Sequence, residues 1–212
     1  MVRRPQAKRS AARLVQARPG SHVALLYQEP TTIAEAVAFA AAGPLEGASC
    51  AVLAYARLAE RIVAQVRDLH GLDVRRLQAD GALVFLECRP SAREVVADLA
   101  RFLERAGGSK RPARMLLSLG WGEAGWPDHD ELLRIEASLS QLCSESKAAA
   151  LCLYDARQLP GSVLLEGGLA CHPLVHWRGE PRKNPFVVAP SVLGRELAAR
   201  RKGESRLRAW TS

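Results

Sequence analysis

Apolar residues along this chain fall into short unbroken runs separated by stretches of helical period. The runs are Ser21–Tyr27, Ser49–Ala54, Ala82–Glu87, Arg114–Leu119, Ala148–Asp155 and Leu174–Trp177. Each is too short for a helix and too uniformly apolar for a half-exposed strand, which predicts strands buried on both faces. Between them the apolar spacing becomes three or four. Thr32–Ala42 places Ile33, Val37 and Ala40 on one face, with Thr31 or Thr32 as its cap and Gly43-Pro44 as its end. Arg57–His70 carries Leu58, Ile62, Val66 and Leu69, with Gly71 past its end. Ser91 and Glu94 form a capping-box pattern ahead of a helix over 92–106. A long helix runs from Asp128 or Asp130 to Glu145, and a closing one covers Pro190–Lys202. Asp73–Leu77 reads as a short extended piece, and Leu159–Ala170, with three glycines, as a broken helix or loop.

Strands alternating with helices of ten to fifteen residues imply right-handed βαβ units. The expected fold is a three-layer α/β domain: a mostly parallel sheet of six or seven strands with helices on both faces. In such sheets ligands sit outside the carboxyl ends of the strands. Tyr154-Asp155, which closes the 148–155 run, is then the first place to look for a site.

Composition refines this reading. The content is 48% hydrophobic and 25% charged, enough for one core. No apolar run approaches the roughly 20 residues of a membrane helix, and the N-terminus lacks a secretory h-region, so a cytoplasmic protein without a membrane partner is expected. The net charge of +8 is unevenly placed. Residues 1–18 hold six basic and no acidic residues, 195–208 hold six basic and two acidic, and the remainder is slightly acidic. The chain therefore divides into a basic tail over 1–20, a domain over 21–194 and a basic helix or tail over 195–212. Arg3, Arg4, Lys8, Arg9, Arg200, Arg201 and Lys202 are the candidates for contacts with nucleic-acid phosphates.

The candidate chemistry is mostly defined by what is missing. The first strand runs into Tyr27-Gln-Glu-Pro-Thr-Thr-Ile33, with no glycine to wrap a phosphate and no lysine to meet its charge. A GxGxxG is absent as well, so no nucleotide and no other cofactor is expected. The five cysteines are odd in number and include no CxxC, which argues against disulfides and against a zinc site of local spacing. A metal set drawn from Cys152, Cys171, His172 and His176 has no local pattern behind it, and no metal is expected. Cys152 reads as core packing. In Gly120-Trp-Gly-Glu-Ala-Gly-Trp126, Trp121 and Trp126 can wall a pocket with Glu123 as a polar contact, or simply cover the core edge. His22 and His172 are able to titrate near neutrality, or to sit at the core edge bonded to backbone.

The order of His22-Val-Ala-Leu-Leu-Tyr27, Gly43-Pro-Leu-Glu-Gly47, Gly122-Glu123, Glu136, Cys152-Leu-Tyr-Asp155, His172-Pro173 and Asn184-Pro-Phe186 resembles the MEDS domain. That is the sensory domain named for methanogens, methylotrophs and the regulator DcmR. The resemblance spans roughly 20–195. It implies a RecA/KaiC-like core without a Walker A loop, and a non-catalytic sensor of small hydrocarbon derivatives that acts on a protein partner or on transcription, here as a stand-alone member. Carried over by position, it implies a pocket of His22, Tyr27, Glu123, Tyr154, Asp155 and His172, to which Trp121 and Trp126 add a wall. Two other readings stand beside it: a nucleic-acid-associated regulator using the tails, and a cryptic hydrolase with Glu123 and Asp155 as paired carboxylates.

Overall fold

Alternation with period two decides where each strand's side chains go, and the sheet shows it directly. The computed structural model describes residues 18–29, 32–107, 111–177 and 180–211. Among these, seven strands form one sheet in the order β3-β2-β4-β5-β1-β6-β7. They are β1 (His22–Tyr27), β2 (Cys50–Ala54), β3 (Leu83–Leu86), β4 (Arg114–Ser118), β5 (Ala149–Asp155), β6 (Leu174–Trp177) and β7 (Glu180–Lys183). All neighbours are parallel except β6 and β7. The antiparallel β7 was not foreseen. It carries Pro181, a residue that belongs on a sheet edge because it cannot donate to a ladder.

Helices cover both faces. On one side α1 (Ile33–Leu45), α2 (Ala56–His70) and α3 (Val74–Ala79) pack Ile33, Val37, Leu58, Ile62, Val66 and Val74 against Val23, Leu25, Val52, Leu151 and Leu153. On the other, α4 (Ala92–Ala106) and α5 (His129–Ser146) pack Val95, Leu99, Phe102, Leu132, Ile135 and Leu139 against Ala24, Leu53, Leu117 and Cys152. The chain then makes a helical turn, α6 (Gly161–Val163), continued as a π-helical segment over Leu164–Leu169. The last helix, α7 (Pro190–Thr211), lays Leu193 and Leu197 on Leu133 and Cys171.

Several local expectations are corrected. Asp73–Leu77 is not extended: the Asp73 carboxylate accepts from the Arg76 N–H and starts α3. Helix α1 passes through Gly43-Pro44, because a proline in the last turn forfeits a single ladder bond, and the turn ends at Gly47 with φ +76°. Thr32 makes no side-chain cap. At α5 the choice between two aspartates resolves to Asp128, which accepts from Glu131 N–H at 2.9 Å. Asp128→Ala is expected to cost about 1 kcal/mol, read as a lowered urea midpoint. The closing helix also extends well beyond Lys202. No described helix is long and apolar enough to cross a membrane.

Candidate functional site

Two polar regions flank the middle of the sheet, and they share no side chain. The first is an open cleft of about 750 Å³ at the carboxyl edge. Tyr27 ends β1, Asp155 ends β5 directly opposite it, and Tyr55 follows β2. With Arg57, Arg61, Glu123, Trp126 and Arg157 these line the cleft. It lies where the loop after β1 would hold a phosphate if that loop had glycine and lysine. Asp155 accepts from the Arg157 backbone N–H and from its Nε and Nη2 at 3.0, 3.1 and 2.9 Å. Partial burial opposes the Asp155 charge, but these donors outweigh it and hold the carboxyl below its ordinary range. Burial, then the Asp155 charge, pushes the Tyr27 hydroxyl well above its usual range. Trp126 and Glu123 are shared with a smaller depression of about 390 Å³ that also holds Trp121, His129 and Pro160.

The second region is closed. His22, Glu136, Cys152, Tyr154 and His172 are all 1% exposed or less. Glu136 is the one carboxylate on the inward stripe of α5, between Leu132, Leu133, Ile135 and Leu139. Its Oε1 accepts from the Tyr154 hydroxyl at 2.6 Å. Its Oε2 stands 3.2 Å from His22 Nε2 and 3.3 Å from His172 Nε2. His22 Nε2 is also 3.4 Å from Cys152 Sγ. The two imidazole centroids are 4.0 Å apart, and Tyr154 meets His172 edge-on.

Hydrogen-bond partners assign the ring protons. The Gly167 carbonyl lies 3.0 Å from His172 Nδ1 and can only accept, so Nδ1 carries the proton. Ser140 donates its hydroxyl to the Cys171 carbonyl and lies 2.9 Å from His22 Nδ1, so that nitrogen is the donor as well. Both Nε2 atoms then face Glu136 Oε2. Burial, followed by the neighbouring His172, lowers the His22 pKa to about 4, although Glu136 opposes the shift. Burial works against the Glu136 charge, yet the two imidazoles prevail and hold its carboxyl far below the usual range. Burial and the Glu136 charge drive the Cys152 thiol and Tyr154 phenol well above theirs.

The pocket expected from sequence is thus divided. Tyr27, Glu123, Trp126 and Asp155 meet around the cleft, while His22, Tyr154 and His172 meet in the closed cluster. Trp121 lies between, 6.4 Å from Tyr154 and 5.2 Å from His129. Period two explains the split. Tyr154 and Asp155 are adjacent and must point to opposite faces, and His22 and Tyr27 are five apart with the same consequence. The sequence reading missed Tyr55, Arg57, Arg61 and Arg157; Tyr55, Arg57 and Arg157 lie within three residues of a strand's carboxyl end, and Arg61 one turn further along α2. It matched Glu136 without placing it in a site. Of the candidate phosphate contacts, Arg3, Arg4, Lys8 and Arg9 lie outside the described residues. Arg200 pairs with Glu166 and Asp130, Arg201 pairs with Glu131, and Lys202 is exposed.

Comparison with known proteins adds three findings. The family model described as the MEthanogen/methylotroph, DcmR Sensory domain, MEDS, matches residues 21–173. No curated protein matches the chain. Among solved structures, the KaiC-like protein PH0186 from the hyperthermophilic archaeon Pyrococcus horikoshii OT3 is similar, with a TM-score of 0.54 and 15% identity over 74% of this chain and 70% of that one. At that identity the likeness concerns the fold alone.

Proposed function

The chain belongs to the MEDS sensory-domain family, and from that premise we propose that it is a non-catalytic sensor that binds a small organic ligand in the carboxyl-edge cleft and passes the signal to a protein partner. The observation that carries this reading is the cleft's position and lining. It occupies the ligand edge of a parallel sheet, in a chain whose sequence lacks the residues for a nucleotide's phosphates. Tyr27, Tyr55 and Trp126 offer apolar faces, and Arg57, Arg61, Glu123 and Asp155 offer charge. That combination suits a short hydrocarbon body bearing an oxygen or halogen substituent, with guanidinium groups favouring a carboxylate. Binding would favour one arrangement of the 119–128 loop over another, the population shift by which a sensor signals. A non-catalytic role accords with the buried thiols of Cys152 and Cys171, which burial keeps protonated and poorly nucleophilic.

Calorimetry and thermal shift against short-chain acids, alcohols, aldehydes and halogenated hydrocarbons test the reading. A ligand at about 100 times its Kd should stabilise the protein by about 2.7 kcal/mol. Tyr55→Ala and Arg57→Ala should abolish that gain while leaving the unliganded melting temperature within a degree or two. A panel without any binder, or binding indifferent to both substitutions, rejects the cleft. The alternative, a nucleic-acid-associated regulator, rests on the basic residues of the tails. It requires DNA affinity that falls steeply with salt and disappears with residues 1–18.

A further inference from the structure

The closed cluster has the donors, spacing and outer partners of a metal centre, and we propose that His22, Glu136, Cys152 and His172 together bind one tetrahedral transition-metal ion, zinc(II) by preference. The inference goes beyond the cleft reading, and none of these four residues lines the cleft.

One donor atom from each of the four residues lies within 4.8 Å of all the others. Zinc bonds of about 2.0–2.3 Å at tetrahedral angles set donor atoms about 3.3–3.6 Å apart. Three of the pairs already stand at 3.2, 3.3 and 3.4 Å. The donors come from four separate elements: β1, α5, β5 and the turn ahead of β6. This is why no CxxC betrays the site along the chain, and the HxxxH of His172 and His176 supplies only its first histidine.

The electrostatics without an ion are unfavourable. Two imidazole Nε2 atoms, on rings whose Nδ1 is already bonded elsewhere, face one carboxylate oxygen, and Glu136 Oε2 and His172 Nε2 are buried without a hydrogen-bond partner. Something cationic has to stand among them. A divalent ion does so with exact compensation, because one thiolate and one carboxylate cancel its charge and leave a neutral buried centre. Cys152 gives up its thiol proton to solvent as the metal–sulfur bond forms.

The surrounding bonds are those that orient metal ligands. His172 donates its other ring N–H to the Gly167 carbonyl, His22 donates to Ser140, and Tyr154 donates to the second oxygen of Glu136. Four protein donors in a fully buried site leave no open position for substrate, so the ion would be structural. It would clamp α5 to β1 and β5, and through Gly167 it would fix the π-helical segment.

Cobalt(II) titration of the chelator-treated full-length protein is the test, with circular dichroism confirming the fold. One cobalt per chain is expected, with tetrahedral d–d bands and a thiolate-to-cobalt charge-transfer band. Cys152→Ser should remove the charge-transfer band and weaken zinc by more than about 100-fold, beyond the range of outer-shell changes. Tyr154→Phe should keep the band and weaken zinc about 10-fold. Cys88→Ser and Cys171→Ser should change neither. X-ray absorption at the zinc edge of the wild type should show one sulfur and three nitrogen or oxygen neighbours, a readout that does not depend on any variant folding. Folded protein that takes up no stoichiometric cobalt, a band that follows Cys171 instead of Cys152, or an all-oxygen shell would overturn the proposal. The ligand screen on the cleft stands or falls separately.

Discussion

Glu136→Leu will lower the unfolding free energy by about 3–5 kcal/mol, the largest loss expected from any single substitution near the sites. Leucine fits the apolar stripe of α5, between Leu133 and Leu139, so the loss does not come from packing. It comes from what is left behind. The Tyr154 hydroxyl loses its 2.6 Å acceptor, and two imidazoles 4.0 Å apart lose the one anion between them, in a region water does not reach. Glu136→Gln keeps an acceptor for Tyr154 and a similar volume, so its loss should be smaller, about 1–3 kcal/mol. Urea unfolding with an unchanged slope measures both. If Glu136→Leu shifted stability by less than about 0.5 kcal/mol, or stabilised the protein, the cluster would be no more than ordinary core. Running the same comparison on chelated protein separates the polar network from any bound ion, because only the network's share survives chelation.

Glu136 also marks the limit of what the sequence made legible. The succession of strands and helices along the chain was readable because buried parallel strands and amphipathic helices leave patterns three to eight residues long. The absent phosphate loop was readable from Tyr27–Ile33 alone, and the family pattern supplied the list of positions. What sequence could not supply was the sorting of those positions in space. His22, Cys152 and His172 converge only because β1 lies beside both β5 and β6, a crossover no local pattern encodes. The alternation rule already separated Tyr154 from Asp155. Joining them into one pocket followed the motif and overlooked the pleat. Arg57, Arg61 and Arg157 escaped for the opposite reason: an exposed arginine near a strand end looks like any surface charge until neighbouring strands turn the same edge into a cleft. Asp73–Leu77 was misjudged on a smaller scale, since a helix of six residues shows only Val74 and Leu77 as its apolar spacing.

The two regions are close enough to bear on each other. Trp121 packs near Tyr154, and Gly167, whose carbonyl holds His172, would bring a Cβ within 2.9 Å of the Trp121 ring and 3.1 Å of the Tyr154 hydroxyl. The loop carrying Trp121 also carries Glu123 and Trp126, which line the cleft. A change in the cleft is therefore one residue layer away from the cluster. The connection runs through packed rings and one glycine with no room for a side chain. This is the physical content the proposed sensory role needs, an element both regions touch.

Gly120→Ala tests the rigidity of that element. A Cβ at position 120 would stand 2.5–2.7 Å from three atoms of the Trp126 ring, closer than carbon atoms tolerate. The collision is with the root of a bulky planar ring, and Trp126 is itself partly buried against the core, so the ring cannot simply swing aside. Either the loop backbone moves or Trp126 leaves its slot. The expected result is a loss of about 1–3 kcal/mol together with altered tryptophan fluorescence. Any ligand of the cleft should also bind more weakly, because Trp126 is one of its walls. By contrast, a Cβ at Gly47 meets nothing within 4 Å, so Gly47→Ala should cost only the strain of its positive φ and leave the fluorescence unchanged. If Gly120→Ala were as mild as Gly47→Ala on both readouts, the 119–128 loop would be soft enough to absorb a methyl group. A loop that soft could not transmit a ligand's presence from the cleft to the buried cluster.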